Sequence, residues 1–255
     1  MAFLDGSRPL AIAHRGGTEV APENSIEAFR GAWRLGFRYL ETDVHLTADG
    51  TLVAFHDEEL DRVTDRTGRI STTTAVEVAA ARIHGTHPIP TLDELLEEFP
   101  DARFNIDAKH DDAAVALVQA LRRHGALGRV CVGGFSDSRL RRIRSLAGSE
   151  LCTSAGPREI AGEIARTRLG RGRNPSTAPS YRCLQVPVRH RGVEIVTESL
   201  VERAHARDLQ VHVWTIDDPV EMHRLLDLGV DGIMTDLPTV LRTVLERRGE
   251  WSSVD

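Results

Sequence analysis

Lysine is almost absent from this chain: of its 32 basic side chains, only Lys109 is not arginine. The arginine excess reads as coding bias, so the interest of Lys109 lies in its neighbourhood. Cysteine is scarce as well. Cys131, Cys152 and Cys183 are isolated, odd in number and set within apolar strand-like runs. That pattern argues against a disulfide framework and matches no zinc spacing, which leaves three small buried hydrophobes. A surplus of positive charge is lacking too. The net charge of -6 runs against a general binder of nucleic acid or of an anionic membrane surface, either of which needs clustered cations. No apolar run approaches bilayer length, and Asp5 stands where the apolar core of a signal peptide would have to run. The expectation is a cytoplasmic protein with no nucleic-acid partner and no integral membrane segment.

What is present is a regular alternation. Short apolar strands and helical stretches follow one another from end to end, the mark of repeated βα units around a parallel sheet. Strands are predicted over 10–13, 41–47, 103–109, 130–135, 151–154, 183–188, 211–216 and 232–235, with helices between them. Residues 169–180, rich in Arg, Gly, Asn, Pro and Ser, read as a loop. With 255 residues, the chain is expected to form one α/β domain over 1–255, a (β/α)8 TIM barrel. A small hairpin and a short insertion over 57–90 interrupt the alternation after the second strand, and the insertion reads as a lid or specificity element.

Three short segments carry chemistry: His14-Arg15-Gly16, Glu41-Thr42-Asp43 and His56-Asp57. Side chains two apart on a strand point to one face, so Glu41 and Asp43 can share one hard cation. Asp49-Gly50 is a turn dipeptide that folds 51–56 back antiparallel, bringing His56 or Phe55 opposite Asp43. Two imidazoles, an arginine and paired carboxylates make the inventory of a metal-assisted phosphodiesterase. Asn105, Asp107 and Lys109 then share a face of a later strand, which a purely hydrophobic core strand would not carry. This is the reading of an anion- and metal-facing strand end. Phe135 and Gln185, near strand ends, are candidate pocket linings. Trp214 reads as core or as a pocket wall. Glu23 and Asn24 are candidates for orienting His14 or Arg15, with Asn24 alternatively capping the first helix.

The chain closely resembles the glycerophosphodiester phosphodiesterase family over nearly its whole length. The resemblance rests on Ala13-His14-Arg15-Gly16-Gly17, Pro22-Glu23-Asn24-Ser25, Glu41-Thr42-Asp43-Val44, Thr47-Ala48-Asp49-Gly50, His56-Asp57, Asn105-Ile106-Asp107-Ala108-Lys109, Val213-Trp214-Thr215-Ile216 and Gly229–Asp236 in this order. It implies His14 and His56 as the acid/base pair, Glu41, Asp43 and Asp107 as metal ligands, and Arg15 and Lys109 as phosphate clamps. Physical reasoning agrees: imidazoles titrate near neutrality, and a cation with two basic side chains neutralises a phosphodiester. Asp107 stands where many members carry glutamate, which shortens its reach by one methylene.

The resemblance implies hydrolysis of a small-molecule glycerophosphodiester to sn-glycerol 3-phosphate and an alcohol, with one divalent cation, magnesium in preference to calcium. Two alternatives are a lysophospholipase D or sphingomyelinase D type activity and a catalytically silent binding barrel. The sequence carries no sign of oligomeric state.

Overall fold

The computed structural model of the protein describes residues 2–168 and 179–252. Eight parallel strands form the barrel that the alternation predicts: β1 (Leu10–Ala13), β2 (Tyr39–Leu46), β3 (Arg103–Ala108), β4 (Val130–Gly133), β5 (Cys152–Thr153), β6 (Cys183–Pro187), β7 (Gln210–Trp214) and β8 (Gly232–Thr235). Their hydrogen-bonded order is β5-β4-β3-β2-β1-β8-β7-β6. The seam between β5 and β6 is narrow. It is crossed by one parallel bridge, Ser154 to Cys183, with Ala155 N donating to Cys183 O at 2.9 Å and Arg182 N to Thr153 O at 3.0 Å. Of the loop expected over 169–180, residues 169–178 lie outside the described residues.

Helices α1 (Ile26–Arg34), α2 (Ala75–Ala80), α3 (Leu92–Glu98), α4 (Ala113–Arg123), α5 (Asp137–Ala147), α6 (Pro157–Arg168), α7 (Glu198–His205), α8 (Pro219–Asp227) and α9 (Pro238–Arg248) connect the strands. The starts of α1 and α3 are set by capping. Ser25 Oγ accepts from Ala28 N at 3.2 Å and so caps α1, while Thr91 and Glu94 form a capping box ahead of α3. Apolar helix faces and the outward strand residues build one core between the two layers, with Phe29, Leu95, Phe104, Leu117, Leu140, Leu225 and Leu241 all buried. A second cluster comprises Phe3, Leu10, Ile12, Tyr39, Met234 and all three cysteines. These residues alternate with the outer core along the strands, so they fill the barrel axis.

The cysteines are buried, as expected, but they are not isolated. Consecutive strands β4, β5 and β6 contribute one each, and their sulfur atoms lie within 4.8 Å of one another. Separations of 21 and 31 residues in the sequence conceal this meeting, which the closing of the sheet creates.

The hairpin is present, with strand 52–54 antiparallel to β2 in the register Val44↔Ala54, His45↔Val53 and Leu46↔Leu52. Phe55 N donates to Asp43 O at 3.0 Å, so of the two registers expected, Asp43 faces Phe55. His56 comes just beyond. The polar excursion that follows is a folded unit with its own apolar cluster of Phe55, Leu60, Ile70, Val78, Ile83 and Ile89. Its Arg62 reaches across to Glu23 beside the first strand.

Candidate active site

His14 is the first residue beyond β1. Because Ala13 pairs with Leu40 on one side and Thr235 on the other, His14 emerges between Glu41 and Asp236. Its Nδ1 lies 2.8 Å from Asp236 Oδ1, which turns Nε2 toward Glu41 Oε2 at 3.8 Å. The chain then doubles back: Arg15 has φ 51°, and Gly16 and Gly17 have φ 83°. This turn aims Arg15 N at Glu41 Oε2, 2.9 Å away. Burial of the imidazole works to lower its pKa, but the charge of Glu41 and then the Asp236 hydrogen bond outweigh it and raise His14 above the ordinary histidine range. Burial, reinforced by the nearby Asp43, pushes the Glu41 carboxyl up to about 7.

Strand register places the other acids. Asp43 pairs with Asp107, and Glu41 with Asn105, so two carboxylates stand side by side on neighbouring strands, whose backbones in a sheet run about 4.8 Å apart. Lys109 answers that charge, with Nζ 2.6 Å from Asp43 Oδ1 and 2.8 Å from Asp107 Oδ2. Burial alone would depress the ammonium, but Asp107 and Asp43 more than offset it and hold Lys109 above the usual lysine range. Arg15 Nε is 3.3 Å from Asp43 Oδ2, and its Nη1 is 3.1 Å from Glu23 Oε1. Glu23 thus holds the Arg15 guanidinium by a hydrogen bond.

Asn24 does something different from capping. Its N–H donates to Arg15 O at 2.9 Å, and its Oδ1 accepts from the Thr42 hydroxyl at 2.8 Å. It thus ties the backbone of the Arg15 turn to β2.

His56 is held from outside the barrel. Its Nδ1 lies 2.6 Å from Asp57 Oδ1, and the Arg62 guanidinium bonds both Asp57 and Glu23. A chain of charges thus runs from His56 through Asp57, Arg62 and Glu23 to Arg15. Both imidazoles have Nδ1 committed to a carboxylate, leaving Nε2 for chemistry. His45 is buried, and its Nε2 lies 3.0 Å from His56 O; burial holds its pKa below the ordinary value. The sequence alone marks none of His45, Asp236 and Arg62 as a site residue. The HD dipeptide and the closing Thr235-Asp236 were the visible signals, but their partners lie 222 residues away for His14 and five residues away across a turn for Asp57.

These groups meet in one cavity of about 190 Å³ at the carboxyl ends of the strands, the side where barrel chemistry collects. His14, His56, Arg15, Lys109, Glu41, Asp43, Asp107, Phe135, Gln185 and Trp214 all line it; Glu23 and Asn24 stand behind it. Gln185 Nε2 donates to Asn105 Oδ1 at 2.7 Å across the floor. Phe135, 68% exposed, packs edge-to-face on Trp214 at 5.8 Å and forms an apolar lip. A hollow of about 400 Å³ at the amino ends of the strands is larger, but no histidine lines it.

The acids fit a hard cation in donor chemistry. All are oxygen donors, and Asp43 Oδ2 and Asp107 Oδ1 are buried without a hydrogen-bond partner. In position they are held apart by the Lys109 ammonium. Among the described residues the one group of metal-ligating side chains gathered within 4.8 Å is the cysteine trio, not the carboxylates.

Residues 14–240 match the model of the glycerophosphoryl diester phosphodiesterase family. The chain is 40% identical, over 98% of its length and 95% of the relative, to the Mycobacterium tuberculosis protein named probable glycerophosphodiester phosphodiesterase 2. It is 30% identical to a glycerophosphodiester phosphodiesterase of Caldanaerobacter subterraneus, over 95% of this chain and all of that one. A crystal structure of a glycerophosphodiester phosphodiesterase from Parabacteroides distasonis shares the fold with a TM-score of 0.74 at 26% identity, covering 96% of this chain and all of the other.

Proposed function

Because the chain belongs to the glycerophosphoryl diester phosphodiesterase family, we propose that it hydrolyses small glycerophosphodiesters to sn-glycerol 3-phosphate and an alcohol in the cytoplasm, as a single barrel domain. The observation that carries this reading is the gathering of two imidazoles, three carboxylates and two cations around one cavity. Arg15 and Lys109 present their charges to the phosphate and hold it in line. One of His14 and His56 accepts the proton of the attacking hydroxyl, and the other returns a proton to the departing alkoxide. Asp236 and Asp57 keep each ring in the tautomer whose Nε2 faces the cavity. Glu41, Asp43 and Asp107 would hold a divalent cation, magnesium in preference to calcium, which supplies further neutralisation of the phosphate charge.

Release of sn-glycerol 3-phosphate from glycerophosphocholine and glycerophosphoethanolamine tests the reading. His14→Ala and His56→Ala are each expected to cut turnover by about 10²–10⁴-fold, the usual weight of general acid or base catalysis. Unchanged turnover in both would contradict it. The apolar lip of Phe135 and Trp214 favours a second reading, in which an acylated glycerophosphodiester is also accepted. Faster turnover of a lysophospholipid than of its deacylated counterpart would establish that reading in place of the first.

A further inference from the structure

We propose that Cys131, Cys152 and Cys183 form a binding site for one soft d10 metal ion, set in the barrel axis one residue layer beneath the catalytic cavity. The chain has three cysteines in 255 residues, and all three meet at this point. Cys131 is in register with Cys152 across β4 and β5, and Cys183 bridges to Ser154 across the seam. All are free thiols and fully enclosed.

The spacing suits an ion. Metal–thiolate bonds of about 2.3 Å put the sulfurs of one coordination shell about 3.8–4.0 Å apart. Cys131 Sγ and Cys183 Sγ are 3.8 Å apart, and no pair in the trio exceeds 4.8 Å. Barrel interiors are ordinarily filled by bulky branched aliphatic side chains. Here three consecutive strands supply thiols to one layer instead.

The donor set chooses the class of ion. Thiolates select soft cations over magnesium or calcium, and the Met234 thioether belongs to the same buried cluster. His212 is engaged at both nitrogens, by Gln185 Nε2 at 3.4 Å and by Gln210 Oε1 at 3.0 Å, so the site is one of sulfur. Access leads from above. The next inward positions on the three strands are Gly133, Ser154 and Gln185, and all three line the catalytic cavity. Gln185 Oε1 fills the space beside Gly133, 2.9 Å from where a Cβ would sit, so entry requires the Gln185 side chain to swing aside. On binding, each coordinating thiol loses its proton to solvent as its metal–sulfur bond forms, and no electron is exchanged.

Cadmium serves as the probe, because sulfur ligation gives an ultraviolet charge-transfer band that the oxygen ligands of the catalytic cavity do not. Titration of the reduced, full-length protein is expected to develop that band to saturation at one ion per chain, with a rise in melting temperature. The Cys131→Ser/Cys183→Ser protein is expected to lose the band while its hydrolysis of glycerophosphodiesters is retained. Absence of the band in the folded wild-type protein overturns the site, as does its persistence in the double variant. A fall in melting temperature overturns it equally, since that is the mark of an ion captured by unfolded thiols. Should the double variant fail to fold, Cys152→Ala answers the same question.

Discussion

Lys109 has two duties that a second substitution beside it can separate. It neutralises the in-register carboxylates of Asp43 and Asp107, and its remaining reach faces the cavity where a phosphate would bind. Lys109→Met leaves Asp107 buried without its counter-charge and Asp43 with Arg15 alone, and breaking a buried pair in this way costs roughly 3–5 kcal/mol. Removing one acid as well relieves the repulsion. Lys109→Met/Asp107→Asn is therefore expected to regain most of the lost stability in denaturant melts while its phosphodiesterase activity stays low. Equal stability of the single and double variants would show that Lys109 does not serve as the counter-ion of Asp107.

At the scale of elements, the turn after β1 governs the site. Gly16 has φ 83°, and a Cβ there would meet Phe29 N at 2.8 Å and Ala28 C at 3.0 Å, both backbone atoms of α1. Gly50 in the hairpin has φ 87° with nothing within 4 Å. The left-handed conformation alone costs a residue with a Cβ roughly 1–2 kcal/mol. Gly50→Ala is expected to lose about that much, and Gly16→Ala distinctly more, with a drop in activity because His14 and Arg15 flank the strained turn. Chemical denaturation of the two variants side by side checks the order. Equal losses would mean that the approach of α1 does not constrain the turn.

Most elements were legible from periodicity, because a strand or helix is decided by neighbours a few residues away. β1 over 10–13 and β8 over 232–235 came out at the predicted ends, and Pro22-Glu23-Asn24-Ser25 announced the start of α1. The hairpin partner of Asp43 was left between two registers because Asp49-Gly50 fits a turn of two or of three residues; Thr47 N donates to Thr51 O, so the loop is the three residues 48–50. What local pattern could not show is contact made by closure. Asp236 reaches His14, and His45 reaches His56 O, only once β1 lies beside β8 and the hairpin has folded. The cysteine trio is the plainest case, since nothing near any one of the three points to the other two.

For the whole molecule, the barrel encloses an imidazole that resists protonation. Burial pulls His212 down to about 4, below the histidine of an unfolded chain near 6.5. Between those values the unfolded state binds a proton that the native state refuses, so the part of the stability that rests on His212 is constant above about pH 6.5 and falls as the pH drops toward 4. The contribution is on the order of 3 kcal/mol. His212→Gln keeps a polar amide at the position and removes the titration, so its stability is expected to decline less steeply than wild type over that window. Parallel curves would contradict the assignment.

The barrel as a whole brings distant strand ends to one rim, where acids, imidazoles and cations face a shared cavity, and the proposed chemistry depends on that rim holding a divalent ion against a phosphodiester. The direct test is the rate of sn-glycerol 3-phosphate release from glycerophosphoethanolamine before chelation, after it, and after magnesium is restored, in wild type and in Asp43→Asn. Loss on chelation, recovery with magnesium in the wild type, and no recovery in the variant are the expected results. Hydrolysis that continues undiminished in chelator would contradict the proposed chemistry.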